Sequence, residues 1–427
     1  MNLKIQNSNP NISELKKQFT IHNSQLKLTG SKSETNRLLL LQALYPNLLL
    51  ENPSTSDDSD VMIKALHSPF TIHHSPLIDV HHAGTAMRFL TAYFAIQEVF
   101  EVCLTGSSRM KERPIQILVD ALNELGAEIS YLEKDGFPPL KIKGKKLTKS
   151  KVSLPANVSS QYISALLLIA PKLENGLELI LEGEITSVSY IKMTIALLNK
   201  IGVETSFIEN KIIVKPQFTI RNTQYTIESD WSSASYWYSI SALSEIGTQI
   251  TLSSFKENSL QGDFALVEIY KNFGVETVFH DNHSITISKV TNKFQKSFNF
   301  NLQSSPDIAQ TIAVTCFGLG ISCHLKGLRT LKIKETDRLE ALRIELTKLG
   351  AIISVTNDSL TLEKSENVNA NIRISTYQDH RMAMAFAPLA LKVPIVIENA
   401  EVVSKSYPTF WEDFKQFGFL LEENESD

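Results

Sequence analysis

The residues of this chain that could do chemistry are gathered in short phrases. The first is Gly30-Ser31-Lys32-Ser33-Glu34-Thr35-Asn36-Arg37, which runs into the apolar stretch Leu38 to Leu41. Ser31 or Ser33 can cap a helix here by accepting from the free N–H groups of the first turn. That turn carries partial positive charge, and Lys32 and Arg37 add two full charges beside it, which makes a pocket for a phosphate. The glycine spacing matches neither the P-loop nor the dinucleotide fingerprint, so the phosphate need not belong to a nucleotide. Similar polar openings recur at His82-Ala83-Gly84-Thr85-Ala86-Met87-Arg88, Ser159-Ser160-Gln161-Tyr162, Asp307 and Gln378-Asp379-His380-Arg381. Gly84 would let a ligand approach the backbone, and Thr85 could cap. Two cationic clusters join them, Arg109-Met110-Lys111-Glu112-Arg113-Pro114 and Lys332-Ile333-Lys334-Glu335-Thr336-Asp337-Arg338. Pro114 fits a helix first turn, and Lys334 and Arg338 would share one helical face. A single charge run is ordinarily a solvated face. Arginines repeated among helix starts point instead to a ligand with several negative charges.

A repeat positions these phrases. A glycine ends a helical pattern at Gly126, Gly202, Gly274, Gly350 and Gly418, every 68–76 residues, and is expected at positive φ. Upstream of each, by about 40 residues, a polar residue opens a helix rich in small and apolar residues. Those starts fall near Ser33, Thr85, Ser160, Ser232, Asp307 and His380, and Met62 to Leu66 reads as the amphipathic helix of a first copy that lacks the glycine. Six strand–helix–strand–helix units follow, each with one buried and one amphipathic helix. Three units make a domain of about 200 residues, with a join near Ile227 to Asp230. The alternating run Phe19 to Leu28 reads as a strand ahead of the first helix.

The totals restrict the class. A chain of 427 residues with 43% hydrophobic residues can bury sizeable cores, and a net charge of −4 provides no field for nucleic acid. Cys103, Cys316 and Cys323 form neither a disulfide frame nor a zinc pattern, which fits a reducing compartment. The polar start Met1 to Pro10 has no apolar core of a signal peptide, and no run is long enough to cross a membrane. We expect a cytoplasmic protein without metal. His73-His74 and His81-His82 lack helical ligand spacing.

In this order, the phrases resemble the 5-enolpyruvylshikimate-3-phosphate (EPSP) synthase family. The matching residues are Gly30-Ser31-Lys32-Ser33 with Asn36-Arg37, Ala83-Gly84-Thr85-Ala86-Met87-Arg88, and Arg109-Met110-Lys111-Glu112-Arg113-Pro114-Ile115. Ser159-Ser160-Gln161, Lys334-Glu335-Thr336-Asp337-Arg338 and Asp379-His380-Arg381-Met382-Ala383-Met384 complete the set, which spans nearly the whole chain. The resemblance implies an α/β, two-domain enolpyruvyl transferase fold of three βαβαββ repeats per domain, with the active site in the interdomain cleft. Residues 21–227 would form one domain, and residues 1–20 with 228–427 a second, discontinuous one. The implied reaction joins the enolpyruvyl group of phosphoenolpyruvate to the 5-hydroxyl of shikimate 3-phosphate and releases phosphate, on the route to chorismate and aromatic amino acids. It uses no cofactor, and we expect a monomer whose partners are these two small molecules.

Carried over by position, the resemblance assigns shikimate 3-phosphate to Lys32, Ser33, Arg37, Ser159, Ser160, Gln161, Ser187, Tyr190, Asp307 and Lys334. Phosphoenolpyruvate would meet Lys32, Gly84, Arg113, Gln161, Arg338, His380, Arg381 and Lys405. Asp307 would take the hydroxyl proton and Glu335 would protonate the methylene carbon, with Lys32 assisting. The cations should repel one another until substrate anions arrive. Glyphosate is recognised by the family at the phosphoenolpyruvate site. His82 stands where the family often has asparagine, Phe89 where it often has proline, and Thr330 where asparagine is common. A related enolpyruvyl transferase acting on UDP-N-acetylglucosamine carries a reactive cysteine on the loop that here holds Arg109 to Arg113, where no cysteine is present. A non-catalytic phosphate-ligand-binding protein of the same fold is the other alternative, and the intact Asp307 and Glu335 argue against it.

Overall fold

In a computed structural model of the protein, residues 1–7, 24–68, 76–157 and 159–423 are described. The chain forms two compact units, Gly30–Ile227 and a discontinuous one of Met1–Thr29 with Glu228–Asp427. This division falls at 29/30 and 227/228, where the expected bounds are 20/21 and 227/228. Strand Ser24–Leu26 pairs in parallel with Gln249–Ser253, and Leu26 and Leu28 enter the same core as Trp231 and Phe255. Residues 19–23 of the expected strand lie outside the described residues.

Helices α1 (Lys32–Leu44), α2 (Asp57–Leu66), α3 (Gly84–Ala95), α4 (Ser108–Lys111), α5 (Gln116–Leu125), α6 (Ser160–Ile169) and α7 (Val188–Lys200) belong to the first of these units. The discontinuous unit holds α8 (Trp231–Leu243), α9 (Leu266–Lys271), α10 (Ala309–Leu319), α11 (Arg338–Lys348), α12 (His380–Phe386) and α13 (Phe410–Gln416). The six apolar helices begin within two residues of their expected starts. They have no polar face to give to water, so they pack on one another: α3 against α1 and α6, and α10 against α8 and α12. Their few hydroxyls are satisfied inside the core, as where Thr315 Oγ1 donates to Ser239 Oγ at 2.8 Å. The expected glycines after α5, α7, α9, α11 and α13 all hold φ between +73° and +111°, a region that L side chains rarely enter.

The repeats after the first end in a sheet of one recipe. Leu77–Asp79 runs parallel to Glu101–Thr105, which pairs antiparallel with Leu140–Lys143, whose hairpin partner is Glu128–Tyr131. Three more sheets copy this order. In the last repeat the N-terminal strand Leu3–Asn7 enters between Ile395–Ile397 and Phe419–Glu423. The first repeat departs from the expected pattern. Among the described residues its only strand, Leu49–Glu51, pairs in parallel with Gln224–Thr226. Because each helix follows a strand end, the polar starts of α1, α3 and α6 are presented by one unit, and those of α8, α10 and α12 by the other.

Candidate active site

In the unit Gly30–Ile227, Ser31 caps α1, accepting from Glu34 N. Lys32 is the first helical residue, and its Nζ meets Asp58 Oδ2 at 3.1 Å. Asp58 lies in the first turn of α2 and was not singled out in the sequence, since nothing local links it to Lys32. Ser33 is half-buried, and its carbonyl accepts from Arg37 Nη1 at 2.8 Å. Arg37 is 3% exposed. Its other donors reach Thr194 Oγ1 at 2.8 Å, Ser164 Oγ at 3.1 Å and Tyr190 O at 3.5 Å, and the rings of Phe89 and Tyr190 lie 5.3 and 5.8 Å from Cζ. At most one N–H of Arg37 remains for a ligand. Burial, only partly opposed by Tyr190 and Glu34, pulls its pKa down to about 10. Phe89, which replaces the family's common proline, is thus a core ring beneath this guanidinium.

The three cations of 109–113 separate cleanly. Arg109 pairs with Glu112 at 3.0 Å and Lys111 with Glu133 at 2.7 Å, both exposed. Arg113 is 7% exposed, has no ion pair among the described residues, and its Nε is a buried donor without an acceptor. Its loop is held from behind. Arg88 Nη2 and Tyr162 Oη both donate to Pro114 O, at 2.9 and 2.6 Å, and Arg88 Nη1 reaches Gly84 O at 3.3 Å. Pro114 precedes α5 rather than entering its first turn, and its carbonyl is what the fold uses. Gly84 opens α3 against Arg113: a Cβ there would lie 2.5 Å from Nη1. Thr85 does not cap α3; it accepts from Gln161 Nε2 at 3.2 Å. Ser159 caps α6 by accepting from Gln161 N, and Ser160 is buried beside it. Ser187 precedes α7 with φ +51°, a left-handed serine whose side chain makes no cap bond, and Tyr190 follows one turn later. Such strain costs on the order of 1–2 kcal/mol and gathers at functional sites.

In the discontinuous unit the charged residues form one ion-pair network around Arg338, which is 2% exposed. Its Nε donates to Asp379 at 2.6 Å, Nη1 to Asp307 at 2.8 Å and Nη2 to Glu335 at 2.9 Å. Burial alone would lower its pKa, but Asp379, Glu335 and Asp307 outweigh that and hold it above the usual arginine value. Asp307 also faces Lys334 Nζ at 3.7 Å and Arg381 Nη2 at 3.6 Å. Lys405, 2% exposed, donates to the second oxygen of Glu335 at 2.6 Å. His380 is buried, with Nδ1 3.5 Å from Asp379. Asp379 caps α12 by accepting from Arg381 N. Two expectations change. Lys334 and Arg338 share no helical face, because α11 begins at Arg338 under the cap Asp337 and Lys334 is extended; they meet through Asp307 instead. Within this unit Lys334, Arg338, Arg381 and Lys405 each face a carboxylate, which offsets the repulsion among these four. Thr330 Oγ1 is buried without a partner. His81 is exposed beside Asp79, and His73 and His74 lie outside the described residues. Among the described residues no three His, Cys, Asp or Glu side chains group as metal ligands, and no helix is long and apolar enough to cross a membrane.

An α/β chain whose units present three polar helix starts each, with buried arginines and carboxylates at those starts, has the architecture that the sequence resemblance to enolpyruvyl transferases implies. Over its whole length the fold is that of the EPSP synthase from Acinetobacter baumannii, at a TM-score of 0.76 and 20% identity, covering 99% of this chain and 100% of that one. It is also that of the enolpyruvyl transferase NikO from Streptomyces tendae, at 0.73 and 13%, covering 100% and 99%. The profile of the family "EPSP synthase (3-phosphoshikimate 1-carboxyvinyltransferase)" matches residues 70–414. A 3-phosphoshikimate 1-carboxyvinyltransferase of Bacteroides fragilis is 45% identical over 405 residues, 94% of this chain and 96% of that protein. One from Haemophilus influenzae is 34% identical over 422 residues, 92% and 95% of the two chains. The chain belongs to the EPSP synthase family.

Proposed function

We propose that this protein transfers the enolpyruvyl group of phosphoenolpyruvate to the 5-hydroxyl of shikimate 3-phosphate, releasing inorganic phosphate. The observation that carries the reading is the network around Arg338. It holds two carboxylates, Asp307 and Glu335, each fixed between cations, as a reaction that both removes and delivers a proton requires.

Asp307, aimed by Arg338, Lys334 and Arg381, takes the proton of the 5-hydroxyl as its oxygen bonds to C2 of phosphoenolpyruvate. Glu335, held between Arg338 and Lys405, delivers a proton to C3, with Lys32 assisting. The tetrahedral adduct then loses a proton from the new methyl group, and its C2–O bond to phosphate breaks, which restores the double bond. Arg113, Arg338, Arg381, Lys405, Lys32, Gln161, His380 and the α3 start at Gly84 bind phosphoenolpyruvate. Lys32, Ser33, Arg37, Ser159, Ser160, Gln161, Ser187, Tyr190, Asp307 and Lys334 bind shikimate 3-phosphate. Arg37 acts there chiefly by fixing the α1 turn, since its internal bonds leave little of it to give. The enzyme works as a cytoplasmic monomer without a cofactor.

The test is phosphate release. It should require both substrates together and survive a chelator. Turnover with UDP-N-acetylglucosamine in place of shikimate 3-phosphate would overturn the assignment.

A further inference from the structure

The network of the discontinuous unit extends to a fourth carboxylate that no phrase of the sequence marked. Asp263 lies in the 3-10 turn Gly262–Ala265 and is 5% exposed. Ser232 Oγ donates to Asp263 Oδ2, and the same Oγ accepts from Arg381 Nη2 at 3.3 Å. Arg381 is held on its other side by Asp307, whose carbonyl accepts from Nη1 at 3.2 Å and whose Oδ2 lies 3.6 Å from Nη2. Arg381 is therefore gripped from two directions, and one grip is a relay through a serine.

The turn that carries Asp263 is itself fixed. Gln261 Oε1 accepts from Trp231 N at 2.9 Å and its Nε2 donates to Ser229 O at 2.8 Å, which ties the turn to the start of α8. Ser305 Oγ donates to Gly262 O at 2.8 Å, which ties it to the segment that carries Asp307. Burial, then the charge of Asp307, push the Asp263 carboxyl up to about 7; Arg381 and the Ser232 hydrogen bond pull it down, and Asp230 adds to the rise. A buried acid kept at this cost, bonded to one hydroxyl that faces one arginine, is poorly explained as packing.

We propose that Asp263 is a positioning residue for phosphoenolpyruvate: through Ser232 it fixes the direction of the Arg381 guanidinium. This rests on the proposed reaction, in which Arg381 contacts that substrate. The ionised carboxylate accepts the Ser232 O–H hydrogen bond, so the serine can offer Arg381 only its lone pairs, and Nη2 is drawn to one position.

The experiment measures phosphate release at about pH 8, where the carboxylate is ionised, varying each substrate in turn. Wild-type turnover comes first; its absence would overturn the functional reading and this inference with it. Given turnover, Asp263→Ala and Ser232→Ala should each raise the KM for phosphoenolpyruvate about five- to tenfold, the effect of one hydrogen bond. The KM for shikimate 3-phosphate should stay within about twofold. The double variant should be no worse than either single one, because both cut the same relay. Asp263→Asn keeps an acceptor for Ser232 and should restore a KM near that of wild type. An unchanged phosphoenolpyruvate KM in Asp263→Ala would overturn the proposal, as would kcat and both KM values failing together. Should Asp263→Ala not fold, Ser232→Ala, which removes one hydroxyl, decides by the same criteria.

Discussion

Replacing Gly84 with alanine tests the phosphoenolpyruvate site where its geometry is tightest. Gly84 is not among the glycines held at positive φ, so alanine needs no strained backbone. The new methyl would lie 2.5 Å from Arg113 Nη1, 2.7 Å from Nη2 and 2.9 Å from Cζ, where ordinary contact begins at 3.4 Å. The helix start cannot yield, so Arg113 must retreat by about 1 Å. A hydrogen bond to a charged partner is worth about 1.5–3 kcal/mol, and losing half or more of it costs about 1–2 kcal/mol. The KM for phosphoenolpyruvate should rise about five- to thirtyfold, while the KM for shikimate 3-phosphate stays within about twofold. From sequence alone the methyl faces the ligand, and the longer glyphosate should lose more than the substrate. With the guanidinium standing first in its path, substrate and inhibitor share the loss of Arg113, and only any excess in the glyphosate Ki measures direct intrusion. Initial rates over a phosphoenolpyruvate series, with and without glyphosate, read both. A folded variant whose phosphoenolpyruvate KM lies within twofold of wild type would refute the reasoning, because Arg113 could then not be a contact of that substrate.

Asp307→Asn and Glu335→Gln keep size and polarity but remove the titrating group, so kcat should fall by about 100-fold or more with modest change in either KM. A variant with near-normal kcat would lose its assigned role. Asp263 also makes a prediction about stability: its folded value of about 7 exceeds the ordinary 3.8, so the native state retains a proton that the unfolded chain has lost. Its contribution to stability therefore falls as pH rises from about 4 to about 7, and Asp263→Asn should melt above wild type at pH 8 with the gap closing toward pH 4; a gap independent of pH would contradict this.

What the sequence made legible was local. A polar residue before an apolar run, and a glycine after an amphipathic one, are signals confined to a few positions, and they placed the six buried helices and the five glycines that follow α5, α7, α9, α11 and α13. Tertiary pairs were not legible in this way. Lys32 meets Asp58 from the next helix of its own repeat, and Arg37 meets Thr194 and Ser164, and Arg381 meets Asp263 through Ser232, across repeats, none with a shared motif. The clusters of cations misled for the same reason. Their spacing could not tell that Arg88 and Tyr162 draw Pro114 inward and bury Arg113 while Arg109 and Lys111 stay in water. Nor could it tell that Asp337 starts a new helix between Lys334 and Arg338. Nor is the pairing of Ser24–Leu26 with Gln249–Ser253, which ties this segment to the discontinuous unit, visible in its own residues.

The two sets of cations differ in a way that bears on how binding and chemistry divide between them. Among the described residues Arg113 has no carboxylate partner, so an anion that reaches it breaks no ion pair with them and gains a charge-assisted contact. Arg338 already gives four of its five N–H groups to Asp379, Asp307 and Glu335, and Lys405 is engaged with Glu335. An anion arriving there must share or redirect existing ion pairs, which returns little net affinity. It gains instead a set of dipoles and charges that need not reorganise as the substrate does. On the proposed roles, Arg113 is then the residue whose loss should appear chiefly in KM. The network around Arg338 should appear in kcat, because its carboxylates are both the counter-ions that hold the arginine and the groups that move the protons.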